Sequence, residues 1–190
     1  RVAGMDYNLA SSDNIWTGDF YYHRSFQPEN PDRQYSQGSS LKFSKKHFSA
    51  QFGQRSVGEN YKAEAGYVTR SGYHHFGPEV SYLFLPNKWV VSHGIKFESN
   101  LYYNTDFIKL DHKNTIAYQF VFQDRSQLTF GYQDDFIKLE NDFDPTHKSD
   151  FQLPAGSEYN FGSVFINYQS TRKTMFNWKA EAVRGSFYSG

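Results

Sequence analysis

Gly94-Ile95-Lys96-Phe97-Glu98-Ser99-Asn100-Leu101-Tyr102-Tyr103 repeats with a period of two. Successive side chains of an extended chain point to opposite sides, so Ile95, Phe97, Leu101 and Tyr103 share one face and Gly94, Lys96, Glu98 and Asn100 the other. The stretch reads as a strand with one face suited to hydrocarbon and one suited to water.

The same pattern recurs on either side of it. Ile116, Tyr118, Phe120 and Phe122 oppose Thr115, Ala117 and Gln119. Towards the start, Ala3, Met5, Tyr7 and Leu9 oppose Gly4, Asp6 and Asn8, and Phe48, Ala50 and Phe52 oppose Ser49, Gln51 and Gly53. Near the end, Phe176, Trp178, Ala180 and Ala182 oppose Asn177, Lys179 and Glu181, whereas Phe165 falls among the polar positions of its strand. No helical periodicity competes with this reading, which is all-β.

Alternation alone also describes a soluble sandwich or a lipocalin-like barrel. Three features favour a transmembrane barrel. The strands read as roughly 9 to 15 residues, against about 5 to 6 in soluble sheets and about 9 to 11 for a tilted bilayer crossing. The polar face carries Gly, Ser, Thr, Asn, Gln and charges of both signs, as a wet lumen would. Trp16, Tyr22, Trp89 and Tyr103 fall at strand ends, where an aromatic girdle would sit.

Composition agrees. With 19 Phe, 15 Tyr and 3 Trp in 190 residues, aromatic rings replace the aliphatic side chains that usually fill a globular core. The mean hydropathy of −0.75 would pass as soluble, and no apolar run is long enough for a membrane-spanning helix. Twenty basic and twenty acidic residues balance, which removes the electrostatic footprint that nucleic-acid binding requires. The absence of cysteine excludes disulfide scaffolds and thiolate zinc sites.

The connections are expected to alternate short and long. Short turns read at Ser11-Ser12-Asp13-Asn14, Lys45-Lys46, Pro86-Asn87-Lys88, Gln123-Asp124-Arg125 and Thr171-Arg172-Lys173. Longer polar connections read at residues 27–36, about 57–75, 104–108 and 141–157, with residues 61–68 kept inside a loop. The chain from 1 to 190 then forms one segment of about ten antiparallel meander strands. If the short turns are periplasmic, both ends of this segment lie outside the cell. Closed barrels begin and end in the periplasm, so the expectation is a piece of a larger barrel of at least about twelve strands.

Several blocks resemble the C-terminal barrel region, of unknown function, in Bacteroidota outer-membrane proteins that carry an N-terminal domain like the family 9 carbohydrate-binding modules. The blocks are Val2-Ala3-Gly4-Met5-Asp6-Tyr7-Asn8-Leu9, Tyr21-Tyr22-His23-Arg24-Ser25-Phe26, Gly58-Glu59-Asn60-Tyr61 and Gly66-Tyr67-Val68. They continue as Ser92-His93-Gly94, Phe143-Asp144-Pro145, Leu153-Pro154-Ala155-Gly156-Ser157-Glu158-Tyr159-Asn160 and Gly185-Ser186-Phe187-Tyr188-Ser189-Gly190, in order along nearly the whole chain. Thr69 departs from the pattern, which more often has Pro before the residue now Arg70. The resemblance implies an outer-membrane location, an upstream sugar-binding-like domain absent from this chain, and a link to glycan handling. Some members are described as hydrolases, but no catalytic motif of this region can be carried over.

Candidate chemistry is sparse. His74, His75 and Glu79 have metal-ligand chemistry, but adjacent residues of a strand point apart, and polar loop histidines are the favoured reading. Glu140, Asn141, Asp142 and Asp144 gather oxygen ligands of the kind calcium prefers, without EF-hand spacing; a solvated loop ended by Pro145 is favoured. His23, His93, Ser92 and Asp19 supply the residue types of a hydrolase without the spacing of one. Asp6, Asp19, Glu79, Lys96, Glu98, Lys179 and Glu181 fall at inward positions, where they would line a selective lumen or form a hydrogen-bonded plug.

The expectation is therefore a non-enzymatic outer-membrane barrel without cofactor or catalytic residues. It contacts membrane lipid and lipopolysaccharide, and glycans or other outer-membrane proteins, but not nucleic acid. It anchors or serves a carbohydrate-binding module or a larger complex. The alternatives are a pore for glycans or small solutes and a barrel-embedded hydrolase acting on lipid or glycan.

Overall fold

The computed structural model describes residues 1–28, 31–63, 70–86, 88–144, 152–171, 173 and 175–186. They form ten strands and no helix: β1 (Val2–Ala10), β2 (Trp16–Ser25), β3 (Tyr35–Ser44), β4 (Phe48–Val57), β5 (Tyr73–Phe84), β6 (Val90–Asn104), β7 (Lys109–Phe122), β8 (Gln127–Lys138), β9 (Glu158–Gln169) and β10 (Lys179–Gly185). Each strand pairs antiparallel with the next, in one sheet ordered β1 to β10. The ten-strand meander expected from the sequence is thus the observed topology. The sheet is not closed: β1 pairs with β2 alone and β10 with β9 alone.

The turns explain why the chain reverses where it does. At residues 11–15 the Asp13 carboxylate accepts hydrogen bonds from the Ser11 hydroxyl (2.6 Å) and the Ile15 amide (3.0 Å), while Asn14 sits at φ 53°. Asp124 repeats the device on Ser126, with Arg125 at φ 69°. Short polar side chains that bond backbone two residues on are what make such turns form locally.

Two connections differ from the expected lengths. Residues 104–108 form a tight turn rather than a long loop, because Asn104 Oδ1 accepts from both the Asp106 and Ile108 amides, at 3.0 and 2.8 Å. The last connection is longer than a three-residue turn. The Ser170 amide donates to the Trp178 carbonyl and the Trp178 amide to the Ser170 hydroxyl, so Phe176, Asn177 and Trp178 precede β10 instead of opening it. β10 accordingly has 7 residues, fewer than the expected 9 or more. The expected turn residues Asn87 and Arg172, residues 64–68 of the 61–68 segment, Thr69, Pro145 and residues 187–190 lie outside the described residues.

Register carries the alternation across the sheet. The row Leu9, Gly18, Leu41, Phe52, Pro78 runs through the pairings of β1 to β5, and Val80, Phe97, Ile116, Tyr132, Val164 continue the same face from β5 to β9. This apolar face has a belt of exposed side chains: Met5 is 65% exposed, Phe52 50% and Ile166 48%. At the end of the sheet near the short turns, the belt is edged by a chain of ring contacts. They run from Trp16–Phe43 (4.9 Å) and Phe43–Phe48 through Tyr82–Phe84, Phe84–His93 and His93–Phe120 to Tyr168–Trp178 (4.8 Å).

Towards the opposite end the same face turns polar. Gln54 donates to Ser56, which meets His74 Nδ1 at 2.7 Å; Ser99 donates to Asn114 at 2.6 Å, and Asp134 meets His112 at 2.8 Å. Beyond this row come further rings, with Phe76 against Tyr103, His74 on Phe107 and His112 on Phe136. Simple alternation would place hydrocarbon at Gln54, Asn114 and Asp134. Instead β6 and β7 run 15 and 14 residues, and the apolar belt covers only part of that length.

The interior is small. Among the described residues the buried apolar side chains are Val57, Tyr61, Tyr73, Val90, Leu110, Leu139 and Leu153, and of these Val57, Tyr61 and Tyr73 pack as one cluster with Ala63 and Tyr102. Phe165, the exception to the alternation, lies on the polar face over Gly131, where its ring comes within 2.8 Å of the site a Cβ would take. An aromatic ring laid across a cross-strand glycine covers backbone that the glycine leaves bare.

Candidate functional site: the polar face of the sheet

The register places Asp6, Asp19, Glu79, Lys96, Glu98, Lys179 and Glu181 all on the face opposite the apolar belt. They are distributed along it in separate small networks. Glu79 and Glu98 are directly paired across β5 and β6, a like-charge juxtaposition that costs free energy when left alone. Lys96 resolves it, its Nζ lying 3.1 Å from Glu79 and 3.0 Å from Glu98. Asp6 meets His23 Nε2 at 3.2 Å, Asp19 accepts from the Ser40 hydroxyl, and Lys179 bonds Glu181 at 2.8 Å.

Sequence reasoning missed a denser group nearer the long connections. The row Tyr21, Gly38, Arg55, His75, Tyr102, Asp111 crosses β2 to β7 in a single line of directly paired residues. Gly38 has no side chain, and the Tyr21 ring fills that space, coming within 2.5 Å of where a Cβ would be. Tyr73 lies diagonally across the β4–β5 pair from Arg55, on the same face. Tyr102 stacks on His75 at 4.4 Å between ring centroids, and the Arg70 guanidinium lies 5.3 Å from the Tyr102 ring and 3.1 Å from Asp111. No single strand announces this cluster, because its members come from six strands and a loop. Only His75 had stood out in the sequence.

Three connections are locked together beside that cluster. Arg33, from the β2–β3 connection, reaches Glu59 at 2.7 Å and Thr105 at 2.8 Å, and Asp106 at 3.5 Å. The Thr105 hydroxyl donates to Glu59, and with the Arg33 charge it holds the Glu59 carboxyl below its ordinary range. Glu59 in turn keeps the Arg33 guanidinium above its ordinary range. Gly58 has no room for a side chain: a Cβ there would meet the Arg33 carbonyl oxygen at 1.9 Å.

The remaining sequence candidates are not brought together. His74 faces the apolar side and His75 the polar side, bonded respectively to Ser56 and to Asn100 (3.0 Å), while Glu79 serves Lys96. Glu140 lies 3.6 Å from Arg70, Asp142 accepts from the Ala155 amide at 2.8 Å, and Phe143, between Asp142 and Asp144, bridges Leu153. Among the described residues no three His, Asp or Glu side chains converge as metal ligands. His93 lies on the apolar face against Tyr118 Oη at 2.5 Å, so it and the adjacent Ser92 point apart, and His23 with Asp19 belongs to another strand. No family model, curated protein or solved structure matches the chain.

Proposed function

We propose that the chain is a section of an outer-membrane β-barrel, with the apolar face against lipid and the polar face lining a wet interior. The barrel anchors or serves a carbohydrate-binding module or a larger outer-membrane complex, and it needs no catalytic group or cofactor. The observation that carries this reading is the apolar belt. Exposed Met5, Phe52, Phe97, Ile116, Phe130 and Ile166 lie on one continuous face across the sheet, whereas soluble proteins rarely expose contiguous apolar patches above a few hundred Å². Moving one such side chain fully from water into hydrocarbon is worth about 1.5–3 kcal/mol.

Two further features support it. The rings near the short turns edge the belt as an interfacial girdle would. The self-bonded polar row at the other end fits strands longer than the roughly 9–11 residues of a crossing, with their far ends above the lipid. β1 has nine residues without Pro, Lys or bulge and a single charge, Asp6, so its edge is lightly protected against pairing. This favours further strands beside it, in a barrel of at least about twelve. The glycan link rests on the resemblance of the quoted blocks.

A second reading, a pore for glycans or small solutes, is favoured by the mixed charges of the polar face, which suit an aqueous channel. Full-length protein reconstituted in vesicles tests both. Retention through an alkaline wash is expected of a barrel, and release would defeat the membrane reading. Reproducible conductance steps in planar bilayers would establish the pore, and a tight bilayer the sealed anchor.

A further inference from the structure

Both limbs of the β4–β5 connection, residues 58–63 and 70–72, turn back onto the sheet. On the first limb the Asn60 side chain donates to the Asp32 carbonyl at 3.0 Å, and the Lys62 amide donates to the Ser25 hydroxyl, at the end of β2, at 3.4 Å. Tyr61, between them, is 8% exposed and packs with Val57 and Tyr73, and Ala63 and Tyr102 lie against the same cluster. On the second limb the Gly72 amide donates to the Val57 carbonyl at 2.9 Å. Arg70 lies 5.8 Å over the Tyr73 ring and 5.3 Å over the Tyr102 ring, and reaches Asp111 on β7 and Glu140 in the β8–β9 connection.

Register decides which face this connection covers. Ser25, Val57, Tyr73, Tyr102 and Asp111 all fall on the polar face, from β2 across to β7. Burial follows the connection, with Ser25 and Val57 1% and 5% exposed. On the same face nearer the short turns, Lys42, Lys96 and Gln119 are exposed, and a cleft of about 300 Å³ lined by Lys46, Ser49, Ser81, Lys96 and Gln119 opens there. Each limb is also tied by an arginine. Arg33 fastens the first to two other connections through Glu59, Thr105 and Asp106, and Arg70 fastens the second to β7 and the β8–β9 connection.

We propose that the β4–β5 connection is an inward-folded strap. It closes the long-connection end of the interior over β2 to β7, held by Arg33 on one limb and Arg70 on the other, and leaves the interior open towards the short turns. The strap rests on the barrel reading above, in which the polar face is the interior and the long connections lie outside the cell. Solutes then reach the polar face from the short-turn side, and passage to the outside requires release of the strap.

Full-length protein without other cysteines, in sealed vesicles, tests it with a sulfonated maleimide too polar to cross lipid. Asn141→Cys, exposed in the β8–β9 connection, reports the side on which the long connections lie. Gly53→Cys reports the polar face beneath the strap, and its Cβ would meet nothing closer than the Gly77 carbonyl oxygen at 3.9 Å. In vesicles that label Asn141→Cys from outside, Gly53→Cys is expected to react at least tenfold more slowly than after detergent exposes the short-turn side. Arg33→Ala combined with Arg70→Ala, with the β-sheet circular dichroism retained, is expected to bring the outside rate up to the detergent rate. Either substitution alone is expected to give a smaller rise and serves if the pair does not fold. Fast labelling of Gly53→Cys from outside with both arginines present, or no gain on their removal, would overturn the strap and leave the membrane reading standing. Slow labelling in detergent would overturn the opening towards the short turns. Release of the protein by an alkaline wash would defeat the membrane reading, and the strap's role with it.

Discussion

Phe97 and Glu98 are neighbours in β6, yet they lie on opposite faces of the sheet. Phe97 joins Val80 and Ile116 in a belt of side chains held in place by nothing but each other, whereas Glu98 joins Lys96, Glu79 and Asn100 in a network that satisfies every charge in it. In an ordinary soluble sheet the two roles would be reversed in burial, with the aromatic side chain covered and the charge free in water. That contrast teaches where the missing free energy must come from. The charges of this network are paired within the sheet, whereas the apolar belt is left exposed; on the proposed reading it is lipid that covers it.

The contrast can be broken most severely on the apolar side. Phe97→Arg in the full-length protein is expected to cost about 2–4 kcal/mol of folding stability measured in lipid, with Gln119→Arg on the opposite face within about 0.5 kcal/mol. Equal costs at the two positions would mean that lipid does not cover the belt. Next in size is the one ring that crosses to the wrong side. Phe165→Ala uncovers Gly131 and should lose about 1 kcal/mol, read from the same unfolding curves; no loss would make the ring incidental.

A smaller change is expected within the polar network. Lys96→Met leaves Glu79 and Glu98 facing one another and should cost about 1 kcal/mol or less, because all three side chains are partly solvated. If the interior conducts, the same variant should shift the reversal potential towards cation selectivity, and an unchanged potential would place these residues off the ion path. The slightest effect belongs to the loop lock. The Glu59 carboxyl is held below its ordinary value of 4.5 by the Thr105 hydroxyl and Arg33, so what it contributes is present above that value. That contribution is lost as pH falls through the depressed one. Hydrogen-exchange protection at the Gly58 amide, bonded to the Tyr35 carbonyl, should therefore fall only below pH 4.5, and Glu59→Gln should abolish that pH dependence.

The parts of this fold that were legible in sequence are those that one strand or one turn carries alone. Alternation in β6 and β7 states their two faces outright, and Asp13-Asn14 and Asp124 mark reversals through bonds that span two residues. The misjudged connections failed for the same local reason. Asn104 closes its turn with a side-chain oxygen where polarity alone suggested a loop, and Ser170 holds Trp178 so that the alternating run begins three residues before β10 does. The Arg55 cluster was illegible because its members are separated in sequence and meet only through register, from Tyr21 on β2 to Asp111 on β7. The polar positions Gln54, Asn114 and Asp134 on the apolar face were hidden by the assumption that a strand keeps one character along its whole length.

The chain contains no cysteine, so in a full-length background with any cysteine outside it replaced, a single thiol reports one position. Full-length variants with one cysteine at each of positions 95 to 103, spin-labelled in reconstituted membranes, measure lipid contact by collision with oxygen and water contact by collision with a soluble nickel complex. Alternation is expected up to the polar pair Ser99–Asn114, with Ile95 and Phe97 reporting lipid and Lys96, Glu98 and Asn100 reporting water. Water contact at both sets, or shielding of the first set from oxygen and nickel alike, would contradict it.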